Sequence, residues 1–259
     1  MENLKVYSLY SGSKGNSTYI EYGDDAILLD AGGSYLSLSR TVTEIGGDTH
    51  KIKSVFITHE HRDHVSALET LTKRLNVPIH MTAPSAKKLE KSASEALSLN
   101  IIEHPPIYEE TVSAIHIKSF RTYHDAAMCV GYKVTFDGCA AALGLLTDTG
   151  HITDEIVGEL SGCTHLIMEA NHDVDMLMHG SYPYFLKERI LSPRGHLSNE
   201  QSAELAADLA SCGAERIVLA HLSEQNNTRT LAMSEVSGAI AGYGVSLDAA
   251  SQSSPVRVI

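Results

Sequence analysis

Apolar positions along the chain switch between two periods. Over 4–10, 17–22 and 26–30, short runs rich in β-branched and aromatic residues read as strands. Turns at Gly12, Gly15 and Asn16, and at Gly23-Asp24-Asp25, separate them. A helical period follows near 34–45. Ser54 to Ile57 reads as a buried strand, with Leu68, Leu71 and Leu75 as a helical stripe behind it. Another helix is expected over 85–98, then strands near 112–119, 130–136 and 141–147. The last third alternates helices (152–160, 182–190, 198–211, 228–242) with strands (165–169, 216–220). The order is a β-rich stretch, then βα units, then the same again. That alternation suits two mixed sheets packed face to face with helices on both outer faces, an α/β architecture. No linker, low-complexity stretch or charge block divides the chain, so one domain is expected over 1–259.

Chemistry concentrates where apolar runs end. His59-Glu60-His61-Arg62-Asp63-His64 follows directly on the strand ending at Ile57 and Thr58. On a bent loop His59 and His61 point the same way and suit one cation, and Asp63 and His64, one turn later, suit a second. A histidine-rich solvated loop is the bland alternative, and it does not explain such packing of ligand types beside an apolar strand. His124, Asp148 and His221 each sit at the end of a further apolar run. Alone, each reads as a hydrogen-bonded residue closing a strand. With the cluster they complete two coordination shells, Asp148 lying between them. Further on, Ser198 and Gln201 form an S-x-x-Q capping box, which places His196 at a helix N-terminus where an anion such as phosphate is favoured. Glu169, closing the run Leu166 to Met168, offers a carboxylate to orient that histidine. The competing readings are a loop histidine beside a cap and a surface carboxylate.

Composition narrows the class. The 259 residues are 43% hydrophobic and 20% charged, which excludes disorder, collagen and coiled coil. No run of 18 apolar residues predicts a membrane span, and Met1-Glu2-Asn3-Leu4-Lys5 lacks the apolar core of a leader. Cys129, Cys139, Cys163 and Cys212 are scattered, as in a reduced cytoplasmic protein. A net charge of -12 argues against broad nucleic-acid binding. Any grip on a polyanion is therefore local, from Lys14, Arg62, Arg121, Lys187, Arg189 and Arg194 beside the motifs. Lys14 in Gly12-Ser13-Lys14-Gly15 lacks P-loop spacing. His50, His80, His104, His116, His151, His165 and His179 read as structural or exposed, and Tyr182-Pro183-Tyr184-Phe185 as core or interface packing rather than a base-stacking platform.

His-x-His-x-Asp-His, with His124, Asp148 and His221 at later strand ends, resembles the metallo-β-lactamase superfamily, and Asp30 in Leu28-Leu29-Asp30-Ala31-Gly32 matches its early aspartate, which supports the metal loop. The resemblance implies the four-layer αββα sandwich. Departures narrow the reaction. An exported lactamase would use a cysteine ligand at the second metal, and redox di-iron members carry glutamate where this chain has His61. Residues 222–259 are too few for the helical substrate domain of glyoxalase II-like thioesterases. Phosphodiester hydrolysis remains, and the Glu169–His196 pair resembles that of RNase Z-type enzymes. Ser11 to Ser17, the histidine loop, His124-Asp125-Ala126, Thr147 to Gly150, Glu169 to Asp173, Gly195 to Asn199 and His221-Leu222-Ser223 occur in an order similar to the YycJ (WalJ) family of small bacterial metallo-hydrolases. That family implies a 5′-to-3′ DNA exonuclease, without a β-CASP cap or tRNA-holding arm. It implies two divalent ions, zinc or manganese with iron also admitted, bridged by a hydroxide. One is held by His59, His61 and His124, the other by Asp63, His64 and His221, with Asp148 between; Asp63, His196 and Glu169 serve catalysis. The substrate expected is nucleic acid, DNA before RNA. The alternative is hydrolysis of small phosphodiesters or cyclic nucleotides, and further off a thioester hydrolase or a non-catalytic metal-binding regulator.

Overall fold

The computed structural model describes residues 4–259, so the reading of Met1 to Asn3 as lacking a leader core lies outside the described residues. Its strands are, in chain order, β1 (Leu4–Tyr10), β2 (Ser17–Tyr22), β3 (Asp25–Leu29), β4 (Ile52–Phe56), β5 (Ile79–Thr82), β6 (Ile101–His104), β7 (Glu109–Val112), β8 (Ile115–Arg121), β9 (Val130–Phe136), β10 (Cys139–Leu146), β11 (His165–Glu169), β12 (Arg216–Ala220), β13 (Ser246–Ala249) and β14 (Val256–Arg257). They form two seven-stranded sheets, ordered β14-β1-β2-β3-β4-β5-β6 and β13-β12-β11-β10-β9-β8-β7. Each sheet begins with antiparallel hairpins (β1-β2-β3; β7-β8-β9-β10) and continues with parallel strands (β3 to β6; β10 to β13). Parallel neighbours need crossovers, and helices supply them.

Alternation along each strand decides the layers. Ile27 and Leu29 of β3 join Ile167 of β11 and Val218 of β12 in the core between the sheets. The intervening Ala26 and Leu28 face outward onto Leu38, Val42, Leu68 and Leu71 of helices Tyr35–Glu44 and Leu68–Leu75. Leu166 and Met168 face the other way, onto Leu205 and Leu209 of helix Asn199–Ser211 and Val236 of helix Arg229–Ala239. Both faces of the central strands are buried, which is why they read as unbroken apolar runs. This is the αββα sandwich.

Several elements differ from expectation. The helix expected over 85–98 is two, Ala83–Leu89 and Glu95–Ser98. The strand expected over 112–119 straddles a hairpin turn at Ser113, whose φ is 53°, and splits between β7 and β8. β5, β6, β13 and β14 and the helix Val174–His179 were not anticipated. The missed strands have four residues or fewer, too little period to register, and β6 and β13 are only half-buried.

Tyr132 ties the inter-sheet core to the start of the histidine loop. Its fully buried hydroxyl donates to the Ile57 carbonyl at 2.7 Å and lies 2.9 Å from that of Tyr108. Tyr132→Phe leaves both partners short of a bond in a dry core. A loss of about 1–3 kcal/mol in urea unfolding is expected, and an unchanged midpoint would refute the role.

Candidate metal centre

All seven metal-ligand candidates converge at one edge of the sandwich. Asp30, His59 to His64, Asp148, Glu169 and His221 follow the carboxyl ends of β3, β4, β10, β11 and β12. Asp30, Asp148 and His221 adopt left-handed backbone conformations, with φ of 60°, 59° and 56°. Such φ values are costly for side-chain-bearing residues and persist where surrounding structure enforces them, often at functional sites. Here each turns a side chain back over the strand end. Close approach matters as well. A Cβ on Gly32 would lie 1.8 Å from the Asp63 carbonyl, so only glycine lets the loop after Asp30 seat against the short helix Arg62–Val65.

The imidazoles of His59, His64, His124, His196 and His221 are held by one device, with the outer nitrogen bonded to the protein and the inner one turned to the centre. His64 Nδ1–H donates to Asp30 Oδ2 (2.8 Å), and Asp30 Oδ1 accepts the Thr58 amide (2.8 Å). The Thr58 hydroxyl donates to Asp30 and accepts from His59 Nδ1 (3.0 Å). His124 Nδ1–H donates to the Gly195 carbonyl (2.8 Å). Glu169 Oε1 accepts from His196 Nδ1 (2.7 Å) and His221 Nδ1 (3.1 Å), while its Oε2 accepts the amides of Thr149 and Leu197. Such partners set the tautomer and aim Nε2 inward.

What faces inward falls into groups. Single donor atoms of His59, His61 and His124 lie within 4.8 Å of one another, as do those of Asp63, His64 and His221, and those of His59, His64 and Asp148. Asp148 Oδ2 is 3.3 Å from His64 Nε2, and Asp148 Oδ1 is 3.7 Å from His124 Nε2, so this one carboxylate reaches both sides. His59 Nε2, His221 Nε2, Asp148 Oδ2 and Asp125 Oδ1 are buried without a hydrogen-bond partner. Buried polar atoms are rarely left so. Nitrogen and carboxylate oxygen orphaned around a common space are the donor set of a divalent cation, and the residues present fit such ions.

Electrostatics agree with that fit. Burial pushes His59 and His61 down, keeping both imidazoles neutral. Burial opposes charge on His64 and His221 too, but Asp30 and Asp148 beside the first, and Asp148, Asp63 and Glu169 beside the second, hold both well above the usual histidine range. Carboxylates dominate the space, which therefore calls for positive charge.

Some neighbours escaped the sequence reading. The Asn16 amide lies 3.2 Å from Asp63 Oδ2 and 3.1 Å from His64 Nε2. Asn171 donates to the His221 carbonyl (2.8 Å). Asp125 Oδ1 lies 3.1 Å from His124 Nε2 and is paired through Oδ2 with Arg189. Asn16, Asn171 and Asp125 each lie inside a noted motif, but amide and carboxylate neighbours have no spacing signature that gives them a role. His80 and His104, read from the sequence as structural or exposed, meet across β5 and β6 (Nδ1···Nε2 2.9 Å) near Glu110 and form a further group of ligand-type atoms. Beside the centre a shallow cleft of about 160 Å³ is lined by His124, His196, His221, Ser13, Asn171, Tyr182, Leu186, Arg189 and Ile190.

Buried Glu169 generates a pH prediction. Burial would raise its carboxyl, but the His196 charge and the bonds from both histidines outweigh that and hold it at about 2, below its ordinary 4.5. A depressed folded value contributes stability that is present above the unfolded value and is lost as pH falls through the folded one. Metal-stripped protein should therefore lose stability between about pH 4.5 and 2. Glu169→Gln should flatten that limb, as read by urea midpoints across the range; an unaltered slope would contradict the assignment.

The comparisons agree with the geometry. Residues 25–222 match the family model described as a β-lactamase superfamily domain. Exodeoxyribonuclease WalJ of Streptococcus pneumoniae is 34% identical over 93% of this chain and 91% of its own length. Exodeoxyribonuclease YycJ of Bacillus anthracis is 34% identical over 92% and 90%. Among solved structures, the metallo-β-lactamase fold protein YhfI of Bacillus subtilis superposes with a TM-score of 0.74 at 17% identity, covering 98% of this chain and 99% of that one. Zn(2+)-bound PqqB of Methylobacterium extorquens superposes at 0.69 and 15%, covering 98% and 99%. The chain belongs to the metallo-β-lactamase superfamily and, within it, to the WalJ/YycJ family.

Proposed function

We propose that the protein is a dinuclear-metal phosphodiesterase that degrades DNA from the 5′ end. The observation that carries the reading is the placement of His196. Its Nδ1 is fixed by buried Glu169, leaving Nε2 for a ligand in the cleft beside two groups of inward-facing donors. The naming of two relatives as exodeoxyribonucleases supports DNA as the substrate.

His59, His61 and His124 would hold one divalent ion and Asp63, His64 and His221 the other, with Asp148 shared. Bound there, such ions supply Lewis acidity, making water a nucleophile near neutral pH and offsetting charge on phosphate oxygens. Zinc and manganese both suit the donor set, and iron is admitted. The remaining work falls to side chains. Asp63 is the more exposed of the two acidic ligands, and its histidine neighbours outweigh burial and keep its carboxyl far below the ordinary range. It stays ionised and so can accept a hydrogen bond from the attacking water and orient it. His196 Nε2 delivers a proton to the leaving oxygen. Glu169 is fully buried, so it acts through His196 and His221 as a positioning residue rather than on substrate. Asp30 and Thr58 do the same for His64 and His59.

The test uses protein reloaded with Mn²⁺ or Zn²⁺ and DNA labelled at either end. Progressive release from the 5′ end is expected, with two ions per chain by elemental analysis. His196→Ala should lower turnover about 10²–10⁴-fold with metal content retained, and Asp63→Asn should abolish it. Asp30→Asn should weaken metal affinity about 10–100-fold in chelator competition. Release from the 3′ end, preference for RNA, or full activity in Asp63→Asn would each overturn the corresponding part. Turnover of a small phosphodiester with no polymer cleaved would instead establish the small-substrate alternative.

A further inference from the structure

An acidic nuclease needs something besides charge to hold a strand, and most of the basic residues around this cleft are already engaged. Arg194 donates to the carbonyls of His124 (3.1 and 3.0 Å) and Ala126 (3.3 Å). The Lys187 ammonium caps the carbonyls of Met178 (2.7 Å) and Gly180 (2.8 Å). Arg189 is paired with Asp125, and Lys14 with Glu224 at 2.8 Å. Four of the six flanking cations therefore serve the protein itself.

Apolar surface is arranged the opposite way. The segment expected to pack as core or interface carries Tyr184 and Phe185 at 69% and 72% exposure. It joins Glu169 to His196 in the chain, and its helix, Tyr184–Leu191, forms one wall of the cleft through Leu186, Arg189 and Ile190, with Tyr182 just before it. Phe185 stands one turn before Arg189, on the same side of the helix, and next to Leu186. A cleft of about 160 Å³ is smaller than the roughly 300–1,000 Å³ of sites that engulf small ligands. It admits the reacting phosphodiester, and the bases it carries must lie against the rim.

Resting on the nuclease reading above, we propose that Phe185, with Tyr182 at the cleft wall, is a stacking platform for unpaired bases of a single-stranded end adjoining the scissile phosphate. Every base has a π-face, so such a platform grips without sequence preference and without net positive charge. Unpaired bases are required because paired ones are stacked within their own duplex.

The test measures KM and kcat of the metal-loaded protein on a single-stranded oligodeoxynucleotide and on the same oligomer with abasic sites at the 5′ end. Phe185→Ala should raise KM about 5- to 100-fold on the intact oligomer, with most of that recovered in Phe185→Trp. Abasic sites should cost the wild type a similar factor, and combining them with Phe185→Ala should cost little more than either alone. Leu99→Ala, at an exposed position away from the cleft, is the surface control. A wild-type KM in Phe185→Ala, or losses that multiply, overturns the proposal. So does a dimer in solution that Phe185→Ala dissociates, which would assign the aromatic surface to a second copy. Failure of the wild type to cut any polymer is read without the variants and would remove the nuclease reading itself.

Discussion

The constraint on which the rest of the structure depends is the burial of Asp148 and Glu169 at the strand ends, one 1% and the other 0% exposed. An ionised carboxylate in that position is costly unless surrounded by donors or cations. The protein meets the cost for Glu169 completely, with two imidazoles and two backbone amides on its oxygens. It leaves Asp148 Oδ2 open. The asymmetry separates a carboxylate that organises histidines from one whose open oxygen suits a cation. Nearby detail follows from it, including the two bonds to Glu169 that aim Nε2 of His196 and His221.

Much of this was legible in the sequence, for identifiable reasons. β3, β4, β11 and β12 are buried on both faces, so their apolar runs and the ligand types closing them stand out. His59 to His64 is a contiguous motif whose spacing survives folding unchanged. His124, Asp148 and His221 were legible only as strand ends, and the resemblance assembled them. Glu60 shows the limit. It lies between two candidate ligands yet turns away, accepting from the Ser85 hydroxyl (2.6 Å) and the Ala127 amide (2.9 Å) to brace the loop from behind. Nothing in a hexapeptide distinguishes its carboxylate from that of Asp63. Only the direction imposed by the short helix Arg62–Val65 does.

What escaped the sequence falls into two physical kinds. Strands of two to four residues and a six-residue helix carry too few periods to announce themselves. Contacts made by distant, chemically ordinary side chains, such as Asn16 with Asp63 or His80 with His104, follow from how separate segments are brought together. The amide of Asn16 bonds to the Asp63 carbonyl, and Gly32 bonds to the Asn16 carbonyl. Three separate segments are thereby locked into one wall, and no segment alone contains that information.

The two sheets repeat a pattern, hairpins followed by parallel βα units, and both present the carboxyl ends of their central strands at the same edge. Each contributes a different kind of group. The first sheet supplies Asp30 and the contiguous histidine loop; the second supplies His124, Asp148, Glu169 and His221 from separate strand ends. Without cations that edge is crowded with carboxylates, Asp63, Asp125 and Asp148 among them, on a chain whose net charge is already -12. A polyanion approaching it meets repulsion that the engaged arginines and lysines do not offset. On the proposed function, divalent ions held by these ligands would reverse the sign of the field where the phosphate sits. On that reading, metal loading would govern substrate entry as well as reactivity. The aromatic rim can then hold the bases beside a local positive spot without requiring the broadly basic surface that nucleic-acid-binding proteins commonly carry.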